Sequence, residues 1–132
     1  MTDSLTLQAT IPVNRKILFQ AWLNSKIHSA FTGAGALIQP KVGGKFSAWD
    51  GYISGKTVVL EPFSRIVQHW RTTEFPDTSE DSVLEILFQP AGKYTKIILH
   101  HRNIPKGQGK SYKKGWKDFY FIPMKEYFKK KI

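Results

Sequence analysis

The stretch Gly43-Gly44-Lys45-Phe46-Ser47-Ala48-Trp49-Asp50-Gly51, carried on by Trp70-Arg71 and answered by Gly115-Trp116-Lys117-Asp118-Phe119-Tyr120-Phe121, decides the fold class. Paired glycines let the backbone turn where a side chain would clash, and the residues after them alternate in the period of a strand. The pattern predicts a curved sheet entered at a bend.

Outward from Gly44 the same pattern places strands over 45–49, 52–60, 65–72, 82–89 and 94–101. Between them stand Asp50-Gly51, Glu61-Pro62, Pro76-Asp77 and Pro90-Ala91-Gly92, all turn chemistry. These links are too short for crossovers, so the strands form an antiparallel meander. Upstream, Leu5, Leu7, Ala9 and Ile11 alternate with Thr6, Gln8 and Thr10 as in a half-buried strand, and Pro12 ends it. Asn14 is the natural N-cap of a helix with Ile17, Leu18, Ala21 and Trp22 on one face. A second short helix starts at Ser25 and stops before Thr32-Gly33. Downstream, residues 112–130 read as one helix, apolar on nearly every side. Only this element is long enough to cover the apolar face of the sheet, so Trp116, Phe119 and Tyr120 should pack on Phe46, Trp70 and Phe88. The fold class is α+β, in one domain spanning 1–132.

A chain of 132 residues buries a sizeable core without staples. Four Trp, nine Phe and five Tyr supply much of it, and the absence of cysteine excludes disulfides and thiol chemistry. The amino terminus lacks the basic and apolar segments of a signal peptide, and the longest nonpolar run, 119–124, is far short of the roughly 18 residues of a membrane span. The expectation is a cytoplasmic protein that does not enter membranes. Charge is lopsided. Residues 1–92 carry eight basic and eight acidic side chains, and residues 93–132 carry twelve and two, so the whole net charge of +10 lies in the last 40 residues. A one-sided positive field speeds encounter with acidic partners; the same run also fits a solvated helix face with a lysine tail.

Order and spacing of several pieces carry a family resemblance over about Leu5 to Phe128. They are Ala30-Phe31-Thr32, Gly43-Gly44-Lys45-Phe46, Asp50-Gly51, Ser54-Gly55, Leu60 with Pro62, Ile66-Val67 with Trp70-Arg71, Pro76, Arg102 with Ile104-Pro105, and Gly115-Trp116 before Tyr120-Phe121. The chain resembles the activator of heat-shock protein 90 ATPase homologue family, within the START-like helix-grip superfamily. The details are closest to the C-terminal domain of the eukaryotic co-chaperones. The resemblance implies a helix-grip fold, a curved antiparallel sheet wrapped around a long C-terminal helix with two short helices after the first strand. It also implies a non-catalytic domain that binds a heat-shock protein 90 type chaperone. In the two-domain co-chaperones a separate N-terminal domain supplies the main grip and most of the ATPase stimulation, and the 132 residues here hold only the helix-grip module. Stimulation is therefore not carried over.

Alternation puts Phe46, Gln68, Trp70, Ile86, Phe88, Thr95, Leu99 and His101 on the face that meets Trp116 and Tyr120 of the closing helix. An apolar wall interrupted by Gln68, Thr95 and His101 has the composition of a cavity for a small apolar ligand, and equally of a core whose few polar groups are satisfied. Lys106, Lys110, Lys113, Lys114 and Lys117 are the candidate partner-binding residues. Pro123 removes a helical hydrogen bond, predicting a bend that follows the sheet, a new helix, or a gate. Catalysis has little support. His28, His69, His100 and His101 share no metal-ligand spacing, and no carboxylates converge on a nucleophile, so neither metal nor cofactor is expected. The basic residues are nearly all Lys and no nucleic-acid motif accompanies them, which argues against specific nucleic-acid binding.

Overall fold

The computed structural model describes residues 1–131. Strand β1 (Thr2–Ile11) leads into helices α1 (Arg15–Leu23) and α2 (Ser25–Thr32). Then come β2 (Leu37–Ile38), β3 (Lys45–Ala48), β4 (Ile53–Glu61), β5 (Arg65–Thr72), β6 (Ser82–Ala91) and β7 (Tyr94–Pro105). The chain ends in α3 (Gly109–Trp116), a π-helical stretch over Lys117–Phe121, and α4 (Ile122–Lys129), which run on as one closing helix. This is the α+β helix-grip architecture expected, with strand and helix bounds within a few residues of those read from the pattern.

The strands form one seven-stranded sheet in the order β1-β7-β6-β5-β4-β3-β2. The meander from β3 to β7 is antiparallel throughout. Two placements go beyond the sequence reading. β1 pairs antiparallel with β7, Ile11 opposite Thr95 and Thr2 opposite Pro105, so the first and last strands join. The two-residue β2 forms the far edge, where serines of α2 seal it. Ser25 Oγ accepts from the Ile38 N–H at 2.8 Å, and Ser29 Oγ accepts from the Ala36 N–H at 2.9 Å. Covering an edge this way removes it as a template for stray pairing.

Helix ends follow the local chemistry. Asn14 Oδ1 caps α1 through the Ile17 N–H, and Asn24 Oδ1 caps α2 through Ile27. Gly33 ends α2 with a φ of 79°, which glycine adopts freely. Leu18, Ala21 and Trp22 are buried as expected, whereas Ile17 is exposed. The core lies between the concave face of the sheet and the helices, and Ile66, Trp70, Leu84, Ile86, Phe88, Ile97 and Leu99 all point into it.

Pro123 neither breaks the helix nor starts a separate one. Just before it the Ile122 N–H bonds to the Lys117 carbonyl, five residues back, and the backbone at Lys117 and Ile122 stays right-handed helical. One widened turn accommodates a residue that lacks an N–H and whose ring would press on the preceding turn.

Candidate functional site

The closing helix meets the sheet along a stripe of large rings, Tyr112, Trp116 and Tyr120, four residues apart and all buried. Each is fixed by a polar contact. The Trp116 indole N–H donates to His101 Nδ1 at 3.1 Å. His101 Nε2 lies 2.8 Å from Ser82 Oγ, and the Ser82 hydroxyl donates to the Trp70 carbonyl at 2.6 Å. With that proton committed, His101 must donate from Nε2 and accept at Nδ1, which defines a neutral tautomer. Burial holds its pKa down to about 3. His28 is the mirror case. Its Nδ1 faces the Trp22 carbonyl at 2.9 Å and its Nε2 accepts from the Tyr120 hydroxyl at 2.8 Å. Burial lowers its pKa to about 4, outweighing the opposing pull of the Trp22 carbonyl. The Tyr120 phenol is pushed up by burial. Tyr112 donates to Gln108 Oε1, and its oxygen lies 2.7 Å from Thr72 Oγ1.

Of the ten residues expected to line a ligand cavity, the structure gathers Trp70, His101, Trp116 and Tyr120 into one ring cluster, with centroids 4.6 to 5.9 Å apart. The others lie elsewhere on the same face. Phe88 packs edge-on against Phe19 of α1, Thr95 donates to the Val13 carbonyl, and Gln68 donates to Thr57 Oγ1. Phe46 lies against Gly55, and Ile86 and Leu99 are completely buried. Every polar interruption of the wall thus has an internal partner. Ser82 and His101 resemble part of a hydrolytic pair, yet the serine is fully buried and gives its proton to a backbone carbonyl.

The opening in this region is an apolar cleft of about 60 Å³ lined by Trp49, Trp70, Tyr112, Gly115, Trp116, Phe119 and Tyr120. Phe119 is not packed on the sheet as its neighbours are. It is 57% exposed and stands edge-on to Trp49, centroids 5.6 Å apart. The stripe at 112, 116 and 120 takes the inward face, which leaves 119 on the flank beside Gly115. Trp49 is the other wall, and it stands there on a strained backbone. Trp49 and Asp50 have φ of 53° and 57°, a region that bulky residues avoid. Asp50 explains why they stay: its carboxylate accepts from the Gly35 N–H at 2.8 Å while its own N–H donates to the Gly35 carbonyl at 3.0 Å. The sequence signals available were the Asp50-Gly51 turn with a tryptophan before it and the four-residue spacing of Gly115 and Phe119.

Lys110, Lys113, Lys114 and Lys117 all fall on the exposed outer side of the closing helix, and Lys106 is exposed in the loop before it. Lys114 contacts Asp118. That loop is tied to the first strand, since Asp3 Oδ2 accepts from both Gly107 and Gly109 N–H groups, at 2.8 and 3.0 Å. Among the described residues, no group of three or more His, Asp or Glu side chains could hold a metal ion, and no helix is long and apolar enough to cross a membrane.

The family described as activator of Hsp90 ATPase homolog 1-like protein matches residues 12–129. The chain belongs to that family. It is similar to the human "Activator of 90 kDa heat shock protein ATPase homolog 1", 28% identical over 127 residues, which are 96% of this chain and 37% of the relative. The Dictyostelium discoideum "Activator of 90 kDa heat shock protein ATPase homolog" is 30% identical over 88% of this chain and 30% of its own length. The chain therefore spans about a third of the curated relatives it matches. Among solved structures, an HSP90 activator from Plasmodium falciparum superposes with a TM-score of 0.79 at 25% identity, covering 90% of each chain.

Within this Hsp90-activator-type domain the residues that carry the resemblance are largely architectural. A Cβ on Gly55 would lie 1.9 Å from the His69 carbonyl oxygen, and the Phe46 ring covers the same spot. Arg71 pairs with Asp81 at 2.7 Å and donates to the Pro76 and Ser79 carbonyls, closing the loop between β5 and β6. Asp50 performs the turn clamp beside the cleft.

Proposed function

We propose that this domain is a binding module that docks on a heat-shock protein 90 type chaperone through the lysine-bearing side of its closing helix. The observation that carries the reading is the exposed row Lys110, Lys113, Lys114 and Lys117, in a domain of the activator family whose net charge of +10 lies entirely after residue 92. The names of the human and Plasmodium relatives support the choice of partner. A rigid helix presenting a cationic row raises the encounter rate with an acidic surface more than it lengthens the life of the complex. Regulation of the chaperone's ATPase, in the cytoplasm, belongs to the same reading and does not require chemistry by this chain.

Association rates with purified heat-shock protein 90 at about 50 and about 500 mM salt test it. Reversing the four lysines to Glu should slow association strongly at low salt and change dissociation less, and high salt should largely erase the difference. A merely solubilising face predicts equal rates, and a nucleic-acid site predicts displacement of the chaperone by oligonucleotide competitor. Failure of the unaltered domain to bind at low salt would end the proposal.

A further inference from the structure

We infer that the cleft between the strained β3–β4 turn and the π-helical stretch is the anchor pocket for an acidic protein segment carrying one apolar side chain. Three observations converge there. The first is size: about 60 Å³ is far below the roughly 300 Å³ or more of a small-molecule pocket, and suits part of a single branched or aromatic side chain inserted from outside. The second is exposure of costly groups. Phe119, which lines the cleft, is 57% exposed and carries its apolar wall onto the surface, and Ile122, three residues on, is 47% exposed. The wall is built at two of the places where the backbone departs from its relaxed form, Trp49 at positive φ and the widened turn over Lys117–Phe121; Phe63 and Asn103, also at positive φ, lie elsewhere. Such departures persist where surrounding structure holds them, and they concentrate at binding sites.

The third observation is charge. Lys110, Lys114 and Lys117 stand on the same helix as Gly115 and Phe119, so a chain laid across the helix with its anchor in the cleft passes the cationic row. Of the acids nearby, only Asp118 is paired with a cation, Lys114; Asp50 and Glu74 accept from the neutral Gly35 amide and Tyr52 hydroxyl, which cancels no charge. Lys106, Lys110, Lys113 and Lys117 outnumber those two acids, so the net field offered to an incoming segment is positive, and the complementary partner is an Asp- and Glu-rich segment with one Leu, Phe or similar residue. This deepens the docking reading by naming what the face recognises, and its test stands without the chaperone.

Gly115 supplies the decisive variant, because a Cβ there meets only the Phe119 ring, at 3.9 Å. Gly115→Leu fills the cleft from within. The probes are short synthetic peptides rich in Asp and Glu with a central Leu or Phe, the same peptides with Ala at that position, and Lys-rich counterparts. Binding is read by the emission of the cleft tryptophans and by calorimetry. Anchored acidic peptides should bind the unaltered domain about tenfold or more tighter than the Ala peptides, with the Lys-rich set inert. Gly115→Leu, and separately the surface change Phe119→Ala, should remove that anchor preference while salt sensitivity persists. Equal binding of the Leu and Ala peptides, or no binding by any acidic peptide, overturns the pocket. Anchored peptide binding without chaperone binding would refute the chaperone reading alone; chaperone binding with no anchor preference among the peptides would refute the pocket alone.

Discussion

At the scale of single residues, two buried histidines hold the closing helix by accepting hydrogen bonds from it, His101 from Trp116 and His28 from Tyr120. Acceptance requires a neutral ring. Both pKa values are depressed by burial, from an ordinary 6.5 to about 3 and about 4. A group whose folded pKa is lowered binds its proton more readily when unfolded, so its contribution is fully present above pH 6.5 and is lost as pH falls toward the folded values. Stability should therefore decline below about pH 6.5 by about 1.4 kcal/mol per pH unit for each histidine. Chemical denaturation across that range should show a shallower decline for His101→Leu than for the unaltered chain, and parallel curves would mean that His101 does not titrate in the way its burial requires. His101 was visible in the sequence as a polar break in an apolar wall. Trp116 was placed over the same face, but its hydrogen bond to His101 was not legible, since period two fixes which face a strand residue takes but not which helical residue stands over it.

Elements are decided by contacts that period alone cannot supply. The closing helix is attached through its ring stripe, and Trp116→Ala should destabilise by about 3 to 5 kcal/mol in denaturant titration, because the indole is only 3% exposed and leaves both a cavity and an unpaired histidine. Two glycines should behave oppositely. Gly55→Ala drives a methyl group into the His69 carbonyl and should cost several kcal/mol, about as much as a large core lesion. Gly115→Ala sits in an open helical position and should be neutral or stabilising by up to about 1 kcal/mol, read as a rise in melting temperature. Pro123 signalled a disturbance whose form only the chain's continuation could set. The wide turn forms because both flanking segments are anchored, by Tyr112 and Trp116 on one side and by Met124 and Phe128 on the other.

For the whole molecule, the concentration of positive charge after residue 92 implies opposite salt effects on folding and on docking. Screening relieves repulsion within the lysine-rich third, so raising salt from about 50 to 500 mM should leave the fold equally or more stable while weakening association with an acidic partner. Parallel denaturation and binding titrations check this, and a joint loss would mean that ion pairs such as Arg65–Glu85 and Arg71–Asp81 dominate the balance.

The amino-acid sequence by itself determined the meander, the two short helices with the Asn14 cap of the first, the closing helix, the charge asymmetry and the family, because each is written in local periodicity, turn chemistry or ordered motifs. Tertiary structure alone decided the union of β1 with β7, the sealing of β2 by Ser25 and Ser29, and the tie from Asp3 to the loop before the closing helix. It also decided that the ring cluster leaves only a small cleft and that Phe119 faces outward across it to Trp49. Those features depend on side chains distant in sequence competing for one volume, and that competition is settled only when sheet curvature and helix phase are fixed together.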